Sequence, residues 1–452
     1  MKMQTVDNRP MFTTAALRQL IIPLILEQLL AMTVGLAAVV MITGVGESAV
    51  SGVSLVDSLN VLIISILSAL CTGGAVVCAQ YIGRHEAEHA RTSARQLVYI
   101  ASIFALLIGV MLLVAPAFFI RLIFGSVAPA VAESARTYLI FSAISFPFLA
   151  LYNACAALFR AMGNARVSLY VSLVMNVVNI AANALMIYLL HMGVLGAGIA
   201  TALSRAVAAI MMLLLIRSRT NVIYLSRLFP VRFEPRMVKS ILSIGVPNGF
   251  ENGLFNFGKL LVQTLVAGLG TAAIAANAII GSIFNIIIVP GMGMSLAILT
   301  VIGQCIGAGD YPQAISYTKK LTIITYVTMF AVNLPVLIFS RWIVGLFPLS
   351  AEATRMAEHV MPVLAASCIL IWPISFAFPN ALRAAGDARF SMILSTASMW
   401  VVRFGLSYLF VTRFHLGVAG VWYGMTADWL VRAVFFLLRY RSGKWKTKVV
   451  LR

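Results

Sequence analysis

The chain has 452 residues, 61% of them hydrophobic and 10% charged, and a net charge of +19. Soluble domains carry roughly 25% charged residues, so a soluble globular domain is excluded and lipid is the solvent. The Lys and Arg excess falls mostly in short connections between apolar runs, where the positive-inside rule accounts for it, so no nucleic-acid partner is implied.

A short polar stretch, Met1 to Thr14, precedes the first apolar run, and no cleavable signal is expected. A bilayer core about 30 Å thick takes about 20 apolar residues per helix. Twelve such runs follow, at 17–43, 53–81, 96–118, 137–159, 167–190, 196–216, 240–267, 276–304, 320–339, 358–381, 390–412 and 418–438. The predicted fold is an all-α polytopic membrane protein of twelve transmembrane helices. Pro290, followed by Gly291 and Gly293, predicts a bend in the eighth span. The five cysteines lie inside apolar runs and form no CxxC pair, so neither a metal site nor a disulfide framework is expected.

Basic residues set the orientation. With the N-terminus in the cytoplasm, cytoplasmic segments hold 24 of the 33 Lys and Arg; the outer connections hold Arg121, Arg136, Arg341, Arg355 and Arg413. Both termini are therefore expected in the cytoplasm of a bacterial cell, as in a multi-pass inner-membrane protein. Arg205, Lys259, Arg403 and Arg432 fall within spans. The longest polar connection, 217–239, divides the chain near its midpoint and suits a linker lying along an anionic inner leaflet. Residues 1–216 are read as an N-terminal six-helix bundle, and 240–452 as a C-terminal one with a basic cytoplasmic tail.

The halves repeat at a nearly constant offset. Pro23 and Glu27 match Pro247 and Glu251, Gly44 and Gly46 match Gly268 and Gly270, and QYIG at 80–83 matches QCIG at 304–307. With one residue of slippage, RAMGNAR at 160–166 matches RAAGDAR at 383–389; His191-x-Gly-Val matches His415-x-Gly-Val. Six spans per half give both halves the same orientation, a parallel repeat of the kind transporters build around a central site.

Three acids are singled out deep in the spans: Glu27, Glu251 and Asp428. A charge at the bilayer centre costs from about 3 to more than 10 kcal/mol by different methods, so such a residue faces a bundle interior or a wet cavity. Glu251 lies near the middle of the seventh span, four residues after a helical proline, where freed carbonyls and a carboxylate can exchange a proton for a cation. Glu251 is the expected principal coupling carboxylate, with Glu27 as a second one or a substrate contact. Asn248, Asn252 and Asn256 make the seventh span the most polar, and a possible Na⁺ or K⁺ site near Glu251 draws on Asn252 and Asn256. Gln28, Asn176, Asn179, Asn183, Lys259 and Asp428 are candidate cavity residues; interhelical bonding serves the three span-5 asparagines equally well. Lys259 is either a counter-ion for a carboxylate or a snorkelling side chain. Asp428 and Arg432, four apart, predict a local ion pair. The loops at 160–166 and 383–389 are read as topology anchors and hinge contacts. His85 and His89 are read as a solvated face, which leaves little for a membrane enzyme.

Taken together, the paired Pro-x-x-x-Glu openings, the stretch MITGVGESAVSGVSLVDSLN, the QYIG and QCIG ends and the loops FRAMGNAR and LRAAGDAR resemble the multidrug and toxic compound extrusion (MATE) family. The resemblance covers nearly the whole chain. It implies two six-helix bundles in an outward-facing V, and export of amphipathic, often cationic, organic molecules against a proton or sodium gradient. It implies no organic cofactor, H⁺ and/or Na⁺ as coupling ion, and a small organic substrate; the two halves suffice for a site in a monomer. The chain departs from the family pattern: Ala38, Asn183 and Trp372 stand where many or some members carry Asp. The expected function is cation-coupled export of drug-like cations or of a dedicated metabolite. The alternative is a flippase for a lipid-linked saccharide, which requires a strongly basic cavity.

Overall fold

A computed structural model describes residues 10–125, 127–225, 230–448 and 450–451, without the side chains of 34–39. Ala38 therefore lies outside the described side chains. Among the described residues the protein is helical throughout, with no strand. Ten helices are long and apolar enough to cross a membrane, and eleven if Ala351–Leu370 and Pro373–Ala384, bent by 54°, form one span. These account for every predicted span but the seventh. That one is the 33-residue helix Pro235–Ala267, whose Glu251, Lys259 and asparagines lower its hydropathy. Its start at Pro235 also takes the last residues of the predicted linker into the helix.

The eighth span breaks where Pro290 predicts it. Helix Thr271–Ile287 ends at Ile288 and helix Val289–Gly307 begins with the proline in its first turn, where a missing N–H costs least. Two short helices were not expected, Pro116–Phe124 after the third span and Ser340–Gly345 after the ninth. Their first residues, Pro116 and Ser340, stand at the same offset as Pro23 and Pro247, so the repeat extends beyond the spans. Backbone conformation repeats too: His191 and His415 both have positive φ, 52° and 50°, as do Gly46 and Gly270, at 126° and 95°. Such angles are rare for a non-glycine residue, and recurrence of the histidine pair at one offset marks a duplicated turn.

The described N- and C-terminal segments lie at one end of the bundle, here the terminal face. The Met11 and Phe12 amides donate to Gln313 Oε1 and Tyr317 Oη, both at 2.9 Å, and Tyr311 Oη donates to the Lys446 carbonyl at 3.1 Å. The halves close on each other at this face. A Cβ at Gly83 would overlap the Gln304 carbonyl, and one at Gly307 would overlap the Gln80 carbonyl. Both glycines are thus required by a close crossing of the second and eighth spans. Gln80 Nε2 reaches the Ala384 carbonyl and Gln304 Nε2 the Ala161 carbonyl, each at 2.7 Å. Each half therefore grips the loop after the fourth span of the other, or its repeat after the tenth.

Overpacking such a crossing costs about 1–3 kcal/mol. Gly307→Val is expected to lower the thermal midpoint in detergent and to speed N-ethylmaleimide labelling of Cys305, which is fully buried in the native protein. Unchanged labelling would show that the crossing tolerates the side chain.

Candidate functional site: three polar clusters within the bundles

The first cluster joins Glu251 to Arg383. Arg383 lies in helix Pro379–Ala384, not in the loop predicted to start there, and its Nη2 is 2.6 Å from Glu251 Oε1. Its Nη1 donates to Asn380 Oδ1 at 3.1 Å. The other carboxylate oxygen, Glu251 Oε2, is buried with no hydrogen-bond partner among the described residues, as are both amide atoms of Asn248. Glu251, Asn248 and Arg383 line a cavity of about 100 Å³ together with Ser68, Thr72, Asn252 and Asn380. A cavity of that size holds water, and unpaired buried polar atoms call for it or for a small cation. Ser68 and Thr72 come from the N-half, so the cavity lies between the halves.

Glu27 makes the equivalent pair. Arg160, in the last turn of helix Pro129–Ala161, donates to Oε1 at 3.1 Å, and Ser168 Oγ donates to Oε2 at 2.8 Å. Both oxygens are engaged, unlike those of Glu251. Beyond the expected role of these loops as topology anchors and hinge contacts, each arginine turns back into the bundle to neutralise the buried glutamate of its own half, because an unpaired carboxylate there is too costly.

The second cluster surrounds Asp428, which is fully buried. The predicted pair with Arg432 is present, Nε to Oδ1 at 2.9 Å, and Arg403 Nε reaches Oδ2 at 3.1 Å. Ser398 Oγ also donates to Asp428. Ser398 and Arg403 bound a π-helical stretch, Ser398–Phe404, in the eleventh span. Such wider turns reset which side chains share a face and often mark functional sites. Lys259 pairs with no carboxylate among the described residues. Its Nζ lies 5.1 Å from the centre of the Phe255 ring, which also has Arg403 at 4.9 Å and Arg432 at 5.4 Å. Of the two roles expected for Lys259, the counter-ion role finds no carboxylate partner among the described residues.

The third cluster lies in the N-half. Asn183 Nδ2 donates to Asn179 Oδ1 at 3.0 Å, and Asn179 Nδ2 to Ser204 Oγ at 3.2 Å. Under the repeat, Asn179 and Ser204 occupy the positions equivalent to Arg403 and Asp428, so a neutral hydrogen bond fills the place of an ion pair. Arg205 donates to Ser145 Oγ at 2.7 Å. Asp57, half-buried in helix Glu47–Gly83, accepts from Asn60 at 3.1 Å, with Tyr138 and Arg205 nearby. It is a further acid within the second span, one turn inside its predicted start. Asn176 is buried with an unpaired Nδ2. Gln28 and Asn256 are half-buried and make no hydrogen bond among the described residues. Among those residues no group of three His, Cys, Asp or Glu side chains suits a metal ion. Of the predicted residues, Glu251 and Asn252 share one cavity, Lys259 and Asp428 a second neighbourhood, and Asn179 and Asn183 a third. Sequence reasoning missed Arg160 and Arg383, although their duplication at the ends of spans was the available signal.

A family model, MatE, matches residues 23–185 and 247–409, two segments that keep the offset of the repeat at both ends. A protein described as an uncharacterized transporter, YisQ, from Bacillus subtilis is 27% identical, covering 98% of each chain. A probable multidrug resistance protein NorM from Thermotoga maritima is 27% identical over 96% of this chain and 93% of its own. Among solved structures, an outward-facing multidrug resistance MATE family transporter of the MOP superfamily aligns with a TM-score of 0.89 at 22% identity, covering 96% of both chains.

Removing the carboxylate from between two buried arginines costs about 3–5 kcal/mol. The two neutral hydrogen bonds of the Asn179 side chain contribute about 1 kcal/mol each. Asp428→Asn is thus expected to lower the thermal midpoint about twice as much as Asn179→Ala, measured by thermal unfolding in detergent. Equal shifts would mean the arginines find other partners.

Proposed function

Because the chain belongs to the MatE family, and is thereby a membrane transporter of drug-like compounds and not an enzyme, we propose that it is a proton-coupled exporter of amphiphilic organic molecules that couples through Glu251. One observation carries the reading: Glu251 lines a small cavity and its Oε2 is buried and unpaired among the described residues, whereas the matching oxygen of Glu27 is bound by Ser168. A proton arriving at Oε2 neutralises the carboxylate and releases its hold on Arg383. Ala384, the next residue, accepts the Gln80 hydrogen bond that ties the halves together. Protonation is thereby transmitted in one step to the seal at the terminal face. Glu27 carries the same chain of contacts, through Arg160, Ala161 and Gln304, but has no free oxygen to receive the proton.

A proton fits better than Na⁺. Hard cations take about six oxygen ligands and favour carboxylates, while the only carboxylate lining this cavity already holds an arginine. The basic excess of 24 to 5 between connections supports the terminal face as the cytoplasmic one. The seal then lies on the inside and the cleft opens outward across a bacterial inner membrane, and one chain supplies both halves of the site. The flippase reading lacks support from Arg205, which is bound to Ser145 and lies in the other half from Arg403.

In proteoliposomes loaded with the fluorescent zwitterion rhodamine B, an inward proton gradient is expected to drive efflux from wild type, and a sodium gradient is not. Glu251→Gln is expected to abolish this efflux in a protein that still folds and inserts, while Glu27→Gln retains part of it. Efflux that persists in Glu251→Gln would remove the coupling role from this residue.

A further inference from the structure

The surroundings of Phe255 carry unbalanced charge. Lys259, Arg403 and Arg432 all lie near one aromatic ring, and Asp428 is the single carboxylate bonded to any of them among the described residues. Asp428 balances one arginine. The other arginine and Lys259 have no anionic partner of their own among those residues, in a region where uncompensated charge is expensive. The face of Phe255 contributes about 0.5–2 kcal/mol by cation–π attraction and neutralises nothing. Arg403 Nη2 is buried without a hydrogen bond, although it lies 3.0 Å from Asp428 Oδ2.

The ligand side of the cluster is Lys259. It is exposed, while Arg403 and Arg432 are buried behind it. Its ammonium lies 5.1 Å from the centre of the Phe255 ring. Beside it the half-buried Phe255 and Phe376 meet edge-on at 6.5 Å and form an aromatic wall, backed by the buried Trp372 and Trp429 at 5.2 and 5.6 Å from Phe376. Trp429 Nε1 is a further buried donor without a partner among the described residues. The N-half has no such feature, since Asn179 and Ser204 hold the places of Arg403 and Asp428. This asymmetry is specific to one half and is therefore not a requirement of the fold.

Building on the exporter reading, we propose that the C-half carries a cargo site for organic anions, in which Lys259 contacts a carboxylate, the two arginines hold the local potential positive, and the aromatic wall takes a flat ring. The cargo class is then aromatic acids or zwitterions and not simple cations. An anion at Lys259 supplies the charge that the cluster lacks.

The test is equilibrium binding to the full-length protein in phosphatidylcholine nanodiscs, read by tryptophan fluorescence against empty discs. The probes are 9-anthracenecarboxylate, its methyl ester and the cation 9-aminoacridine. Wild type is expected to bind the carboxylate more tightly than the aminoacridine. Lys259→Gln is expected to weaken carboxylate binding by about tenfold or more, a loss of about 1.4 kcal/mol, with ester binding unchanged; Lys259→Arg restores it. Tighter binding of 9-aminoacridine, or carboxylate binding insensitive to Lys259→Gln, would overturn the proposal. Glu251→Gln, run in parallel, is expected to keep the carboxylate preference. Failure of the coupling reading therefore shows in efflux alone, and failure of the anion site in binding alone.

Discussion

Every buried carboxylate in a lipid-facing bundle needs a cation or a set of donors, and here that requirement organises the interior. Glu27 takes Arg160, Glu251 takes Arg383, and Asp428 takes Arg403 and Arg432. The half-buried Asp57 is held by Asn60, with Tyr138 and Arg205 nearby. Each cluster links spans distant in sequence, so electrostatics fixes which helices are neighbours more firmly than apolar packing does. Lipid tails are as apolar as Leu and give helices little reason to prefer one another.

The duplication makes departures from symmetry informative. The Glu–Arg pairs, the Gln grips and the Gly crossings occur twice. They form the scaffold that joins the two halves. Differences between the halves therefore point to function. One is the free oxygen of Glu251, set against the fully bonded Glu27. The other is the ion pair of Arg403 and Asp428, set against the neutral bond of Asn179 and Ser204. Both distinguishing features fall in the C-half, in keeping with the absence of the customary acids at Ala38 and Asn183.

The spans were legible because each is a long apolar run, and the repeat because its motifs keep one register. The short helices Pro116–Phe124 and Ser340–Gly345 were hidden because they continue apolar runs without a polar break. The bend after Ile287 was readable from Pro290, whereas the π-helical turn at Ser398–Phe404 has no local signature. It forms because Ser398 and Arg403 must both reach Asp428 on a neighbouring span. The Glu251 site was half legible. Its carboxylate and amides were recognised from their depth, but Arg383 looked like an exposed loop charge. A long side chain at a helix end can reach back into the bundle, and residue position alone does not reveal it. Asp57 was passed over because it lies only one turn inside its predicted span. The amides of Asn179 and Asn183 are suited to a ligand by chemistry alone, and only the structure shows them bonded to each other.

Glu251 and Lys259 share one helix, eight residues or about 12 Å apart, which constrains how ion and cargo exclude each other. In an exporter whose cargo is a cation, proton and cargo can compete for one carboxylate. An anionic cargo at Lys259 has the opposite relation to Glu251. Protonation removes a negative charge, so direct electrostatics favours joint occupancy, by about 1.4 kcal/mol at an effective dielectric of 20. Exchange of one for the other must then be imposed by conformation. The contacts that can impose it are those between Glu251, Arg383, Ala384 and Gln80, because they join the ion site to the seal between the halves. On the proposed reading, coupling accordingly runs through the closure of the terminal face, and the seal must shift cargo affinity by more than the tenfold that electrostatics contributes in the wrong direction.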